Sequence, residues 1–569
     1  MSVFGNGFRI PKRVLVSLLV LTSQLAHFGD ATITEFGSHG AVASESKICS
    51  QIGVDLMKRG GNAADAMVGT VICVGVIGMY HSGIGGGGFM LVRGPDGEFE
   101  TVDFREKAPA AAYEDMFRGN VIGSIRGGLA AAVPGDLAGL EYLHTKYGAL
   151  PWKAVVNPAV HVARYGFPVS EDTVRYMAAG SSPENNFLVE DPSWAIDFAP
   201  NGTLLKLGET LTRKRYADTL EQIADYGAGV FYDGEIANYT VAAVQATNGT
   251  MTLDDLRDYK VIIREPISID YRGYKLYSTG APSGGAVALS ILKIIEGYNM
   301  SDASIAQLNT HRLDEAMRFA YGAHSELGDP DFFSYMDDFV AEMIKESTAS
   351  DIRGRILDDR TQNVSVYDPK GFAIHENHGT SHIVASDASG LSITLTSTVN
   401  LLFGSQVCVP ETGVILNNEM NDFSIAGVSN GFGFVPSPIN YIRPHKRPLS
   451  SITPIIVTHP NGTLYVTIGA AGGSRIITST MQGVWHVLDH GMNMSEALKQ
   501  PRFHDQLLPD RTGFEVEFDK DVIESMRKKG HNVTIEPYLT AVQAIRRLWN
   551  GELEAASEPR QKGSGGLSV

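Results

Sequence analysis

The run Gly379-Thr380-Ser381-His382 sets a hydroxyl residue directly behind a glycine, after a polar loop (His375 to His378) and at the head of an alternating apolar–polar stretch. If the chain is cut between Gly379 and Thr380, the threonine gains a free α-amine that can take the proton from its own hydroxyl. An α-amine titrates at roughly pH 7.7–8.0, so it serves as a base near neutrality without a histidine. Taken alone, four such residues describe any loop that opens a strand. Their neighbours decide the matter.

Ser381–Ser386 and Leu391–Thr398 alternate apolar and polar residues across Asp387-Ala388-Ser389-Gly390, a hairpin pattern that returns Thr398 and Asn400 to the side of Thr380. Val414–Leu416 reads as a strand running into a loop with Glu419 and Asp422, followed by Pro448-Leu449-Ser450-Ser451 and Gly469-Ala470-Ala471-Gly472-Gly473-Ser474. Ile455–Thr458 and Tyr465–Gly469 form a second hairpin around Asn461-Gly462. The earlier part is mostly helical, over Ser44–Lys58, Asn62–Met79, Pro134–Tyr147, Ala154–Tyr165, Tyr216–Tyr226 and Leu253–Tyr259. Its strands are Gly88–Arg93, Phe99–Asp103, Val261–Tyr271 and Lys275–Tyr277. Helix-rich flanks around a strand-rich middle predict sheets held between helical layers. The tail from Gln561 to Val569 is expected to fray.

With 569 residues the chain exceeds the usual single-domain size, and a net charge of −17 excludes a phosphate backbone as partner. Arg9, Lys12 and Arg13 precede an uncharged run, Val14 to Ala26, with Gly29 and Ala31 behind it. This is the layout of a secretory signal over residues 1–31, with a retained anchor as the alternative. Sequons at Asn201, Asn238, Asn248, Asn299, Asn363, Asn461, Asn493 and Asn532 agree with passage through a secretory pathway, ending outside the cell, in a vacuole or at an outward-facing membrane anchor. Of three cysteines, none has metal-ligand spacing. Cys49 and Cys73 fall on consecutive helical segments joined at Gly60-Gly61, close enough for a disulfide in an oxidising compartment, which leaves Cys408 as a buried thiol. Gly85 to Gly88 lacks the Gly-Lys-Ser/Thr that a phosphate loop needs.

Together these blocks resemble the γ-glutamyltransferase family, a branch of the N-terminal-nucleophile hydrolases. The resemblance covers Glu45-Ser46-Lys47, Gly60-Gly61-Asn62-Ala63-Ala64-Asp65-Ala66, Gly83-Ile84-Gly85-Gly86-Gly87-Gly88-Phe89, Asp103-Phe104-Arg105-Glu106-Lys107-Ala108-Pro109, Ala281-Pro282-Ser283-Gly284-Gly285 and Ala556-Ser557-Glu558-Pro559-Arg560, in the family's order. It implies an α+β fold, a four-layer αββα sandwich. It further implies self-cleavage before Thr380 into residues 32–379 and 380–569, and no cofactor or metal.

By the same resemblance Thr380 is the nucleophile and Thr398 orients it. Arg105, Ser450 and Ser451 hold the donor's α-carboxylate, while Asn400, Glu419 and Asp422 hold its α-ammonium. Gly472 and Gly473 supply the oxyanion hole. The physics of a zwitterionic donor agrees, since it demands a cation and anions a few ångströms apart. Glutathione and other γ-glutamyl compounds are the implied donors, with water, amino acids or dipeptides as acceptors. A β-lactam acylase of the same superfamily and a silent binding glycoprotein are the alternatives. Both fit the retained Asn400, Glu419, Asp422, Thr380 and Arg105 less well.

Overall fold

The computed structural model describes residues 35–368, 370–372, 379–428, 435–537 and 540–569. The leader (1–31) and the polar loop His375–His378 lie outside these.

Two antiparallel 7-stranded sheets lie face to face. One runs in the order Gly565–Ser568, Gly40–Ser44, Ser381–Asp387, Ser392–Thr398, Gly87–Arg93, Phe99–Phe104 and Ile262–Arg264. The other runs Glu35–Gly37, Leu553–Ala556, Ala541–Arg547, Leu464–Ala471, Ile455–Thr458, Tyr274–Ser278 and Ile267–Tyr271. Helices Lys47–Lys58, Ala63–Ile77 and Asp136–Tyr147 cover the outer face of the first sheet. Gly285–Ile295 and Ile476–His490 cover that of the second. The result is the expected αββα sandwich.

The expected periodicity explains why the layers form. Along Ser381–Asp387, Ile383 and Ala385 join the core beneath the helix Ala63–Ile77, whereas Val384 points the other way and meets Ile545, Leu553 and Ala555 of the opposite sheet. The helix Ala63–Ile77 is buried along its whole length, as an all-apolar segment requires. Asn62 caps it, accepting from the N–H groups of Ala64 and Asp65, while the Asp65 carboxylate accepts from the Asn62 N–H. Polar contacts also cross the gap between sheets. Ser392 Oγ lies 2.5 Å from Thr467 Oγ1 of the opposite sheet, and the His382 ring lies against Gly469, where any Cβ would collide with it.

Both hairpins form as expected, one around residues 387–390 and one around Asn461-Gly462. Cys49 and Cys73 are joined, with Cα atoms 5.4 Å apart, and Cys408 is a buried free thiol. Three expectations fail. Val261–Tyr271 is not one strand: it divides at Glu265-Pro266, and its halves enter different sheets. Pro266 has no N–H to give to a ladder, so the chain changes layers there. Val414–Leu416 makes only an isolated bridge, Ile415 to Cys408. The tail does not fray: Gly565–Ser568 pairs with Gly40–Ser44, and Val569 exchanges backbone bonds with Gly40. A short Gly-rich strand reads as a loose end only when its partner is unknown.

Both sheets are built jointly from strands that precede and strands that follow residue 379. Ser381–Asp387 lies between Gly40–Ser44 and Ser392–Thr398, and the latter lies against Gly87–Arg93. Among the described residues, no helix is long and apolar enough to cross a membrane.

Candidate active site

Thr380 sits at the lip of the first sheet, one residue before the strand Ser381–Asp387, and is buried. Two groups converge on the bond before it. Thr398, at the end of the paired strand, donates from Oγ1 to the Gly379 carbonyl oxygen at 2.9 Å. The Thr398 Oγ1 in turn accepts from the Asn400 backbone N–H at 2.7 Å. Asn400 has φ of 70°, and this tight turn is what brings its N–H back over Thr398. From the opposite sheet, Gly472 N–H donates to Thr380 Oγ1 at 2.8 Å.

Gly472 and Gly473 have φ of 133° and 63°, conformations that side chains with a Cβ rarely adopt. They turn the strand Leu464–Ala471 into the helix Ile476–His490, so their N–H groups lie at the positive end of a helix. The Tyr321 hydroxyl donates to the Ser474 carbonyl at 2.6 Å and pins this turn.

Arg105 follows the strand Phe99–Phe104 and is almost fully buried. Its guanidinium pairs with both Glu419 and Asp422 and gives hydrogen bonds to the carbonyls of Leu449 (3.1 Å) and Pro448 (3.4 Å). Those carbonyls belong to the segment that carries Ser450 and Ser451, so the serine pair stands beside the arginine. Ser450 N–H donates to the Pro282 carbonyl, which assigns the Ala281-Pro282-Ser283 block a supporting role under this segment. Glu419–Asp422 is a single 3-10 turn, not an open loop. Asn400 reaches the same turn, donating from Nδ2 to the Asn418 carbonyl at 3.1 Å.

Three carboxylates surround the one arginine, since Glu106 also lies 4.0 Å from it. Burial alone would lower the Arg105 pKa, but Glu419, Asp422 and Glu106 more than reverse that. Burial pushes the carboxyls of Glu106 and Glu419 well above their ordinary range, against the pull of Arg105. The three carboxylates keep the guanidinium charged despite its burial.

The candidate residues therefore fall into two groups around Thr380. Thr398, Asn400, Gly472 and Gly473 surround the reacting bond, and Arg105, Glu419, Asp422, Ser450 and Ser451 form a charged recess. Sequence reasoning missed a third set. A cleft of about 350 Å³ opens onto Gly379 and Thr380 and is lined by His81, Tyr176, Arg475, Glu536, Thr540 and Arg560 among others. Glu45 stands behind it, accepting from Ser381 Oγ at 2.8 Å and lying 3.4 Å from His81 Nδ1. The sequence signal for Glu45 and Arg560 was their place in the family blocks. His81 and Tyr176 carry no such mark.

Residues 49–567 match the family model described as gamma-glutamyltranspeptidase. This chain belongs to the γ-glutamyltranspeptidase family. It is similar to the "Glutathione hydrolase proenzyme" of Arthroderma benhamiae, 51% identical and covering 98% of this chain and 99% of the relative. It is also similar to the "Glutathione hydrolase" of Aspergillus flavus, 44% identical over 98% of this chain and 95% of that one. Among solved structures, the cephalosporin acylase of Bacillus halodurans superposes with a TM-score of 0.84 at 26% identity, covering 95% of this chain and 98% of that one. The N-terminal-nucleophile hydrolase architecture is thereby shared across nearly the whole γ-glutamyltranspeptidase chain.

Proposed function

We propose that this chain is a self-processing γ-glutamyltransferase and glutathione hydrolase whose nucleophile is Thr380. The observation that carries the reading is the convergence of Thr398 on the Gly379 carbonyl and of Gly472 on the Thr380 hydroxyl. Thr380 Oγ attacks the Gly379 carbonyl carbon, and Thr398 steadies the charge that grows on the oxygen. The C–N bond then breaks to give an ester, and water hydrolyses it. Gly379 is left with a carboxylate and Thr380 with a free α-amine. The products are residues 32–379 and 380–569.

In the mature enzyme the α-amine takes the hydroxyl proton as Oγ attacks the donor's γ-amide carbonyl. The N–H groups of Gly472 and Gly473 hold the oxyanion. The amine, cysteinylglycine in the case of glutathione, leaves with a proton, and water, an amino acid or a dipeptide then takes the γ-glutamyl group. Donor binding exchanges partners in the recess. The α-carboxylate takes the guanidinium of Arg105 with help from Ser450 and Ser451, and Glu419, Asp422 and Asn400 turn to the α-ammonium. Leaving group and acceptor use the cleft beside His81 and Tyr176.

The structural likeness to a cephalosporin acylase supports a second reading, hydrolysis of glutaryl-type amides. Such substrates have no α-ammonium, and a recess with three carboxylates disfavours them. We further place the protein in the secretory pathway. Seven of the sequon asparagines are exposed; Asn493 is half-buried and caps the helix Met494–Lys499, accepting from the Glu496 N–H, which makes it the poorest glycan acceptor.

Denaturing electrophoresis with N-terminal sequencing tests the processing: a fragment beginning Thr380-Ser381-His382 is expected. A γ-glutamyl anilide should then turn over far faster than a glutaryl anilide. An uncut, folded chain would overturn the nucleophile assignment, and a preference for the glutaryl compound would overturn the donor.

A further inference from the structure

A second cluster of reactive side chains lies away from Thr380, beneath the second sheet. The helix Ala306–His324 carries His311, Asp314 and Glu315, spaced so that all three share one face. That face meets His531, in the turn after the helix Lys520–Lys528. All four are buried.

The hydrogen bonds fix how each ring is used. His311 Nε2 lies 2.7 Å from the Leu357 carbonyl, which only accepts, so Nε2 carries the hydrogen and Nδ1 presents a lone pair. That lone pair faces His531 Nε2 at 2.8 Å. Glu315 Oε2 accepts from the Tyr367 hydroxyl at 2.7 Å, while Oε1 has no hydrogen-bond partner among the described residues. An orphaned, fully buried carboxylate oxygen calls for an explanation. A nitrogen of each imidazole and a Glu315 oxygen lie within 4.8 Å of one another. On the far side of the ring, His531 Nδ1 is 2.9 Å from Asp314 Oδ2.

We propose that His311 Nδ1, His531 Nε2 and Glu315 Oε1 bind a divalent transition metal, with zinc the best fit. Two neutral imidazoles and one carboxylate are a recurrent donor set for this ion. Two ligands already have the outer hydrogen bond that orients metal ligands, the Leu357 carbonyl for His311 and the Tyr367 hydroxyl for Glu315, and the Asp314 carboxylate lies 2.9 Å from His531 Nδ1. Tetrahedral ligand bonds of roughly 2.0–2.1 Å need the two nitrogens to part by about half an ångström.

Without a metal, the His531 Nε2 proton bridges to His311 Nδ1. The ion replaces that shared proton. Binding thus releases one proton, and the charges of Glu315 and Asp314 balance the ion. No step at Thr380 involves this site. Its role is structural, tying the helix that precedes residue 379 to a turn that follows it.

The test uses the full-length protein as purified. Elemental analysis should find about one zinc per chain. Protein stripped with a chelator in mild denaturant and refolded with Co²⁺ should show visible d–d absorption, and the chelated protein should melt several degrees lower. The bands should be absent from H311Q and H531Q. Should those variants fail to fold, the wild-type metal content and cobalt spectrum still decide the matter. A metal-free preparation that refolds without cobalt bands or a melting shift would overturn the proposal and leave the cluster as a proton-sharing pair.

Discussion

Thr398 Oγ1 holds the Gly379 carbonyl oxygen at 2.9 Å while its own oxygen is held by the Asn400 N–H at 2.7 Å. The hydroxyl has one proton, and the Asn400 contact commits it to the carbonyl. Once the Gly379–Thr380 bond is cut, that proton is free for Thr380 itself. One side chain thus serves both reactions.

Thr398→Ala should therefore slow processing by about 10²–10³-fold, the usual loss when one oxyanion donor is removed. Thr398→Ser keeps the donor and should process at close to the normal rate. A time course of precursor and fragments on denaturing gels reads both.

Arg105→Lys removes the planar fork that serves two carboxylates at once. The KM for a γ-glutamyl donor should rise at least tenfold, with kcat less affected. Lysine keeps the charge but reaches only one of Glu419 and Asp422 well, so the variant should also be less stable, by up to about 3 kcal/mol, measurable by denaturant unfolding.

Gly472→Ala forces a Cβ into a φ of 133° and moves the N–H that points at Thr380. A fall in kcat of about 10²-fold is expected, with donor KM nearly unchanged. Anilide kinetics on separately processed enzyme would separate this effect from any processing defect.

Much of this was legible in advance because it is local. The hairpin that pairs Ser381 with Ser397, the glycine turn at residues 472–473 and the Cys49–Cys73 bridge all follow from patterns within a few tens of residues. What escaped depends on distant partners. Gly565–Ser568 looks like a tail until Gly40–Ser44 is placed beside it. His81 and Tyr176 are ordinary residues until the chain brings them to the mouth of one cleft with Arg475 and Glu536. Nor does any spacing reveal that Glu419 and Asp422 both close on Arg105, 314 and 317 residues away.

Asp136 supplies a test of electrostatics. Burial raises its carboxyl to about 7, against the hydrogen bond it accepts from Ser397 Oγ at 2.8 Å. A carboxyl raised in the folded state favours folding most at low pH. That contribution falls as pH climbs from about 4 through about 7, by up to about 4 kcal/mol in all. Asp136→Asn still accepts from Ser397 but does not titrate. Its melting temperature relative to the parent should therefore rise between about pH 4 and about pH 7 and level off above that.

The bridge between Cys49 and Cys73 closes a loop with a sequence separation of 24. Replacing both cysteines by serine should cost about 3 kcal/mol. Denaturant melts of the parent and the double variant under oxidising conditions would measure it.

The sharing of both sheets by strands from either side of residue 379 gives the cut a direction in time. Before it, the chain folds as one molecule, and closing the loops is an internal event. Afterwards, the same sheets could be rebuilt only by two molecules meeting, each with bare strand edges open to aggregation. Processing therefore turns a reversible fold into a one-way product, whose lifetime is set by how slowly it opens and not by how well it could reassemble.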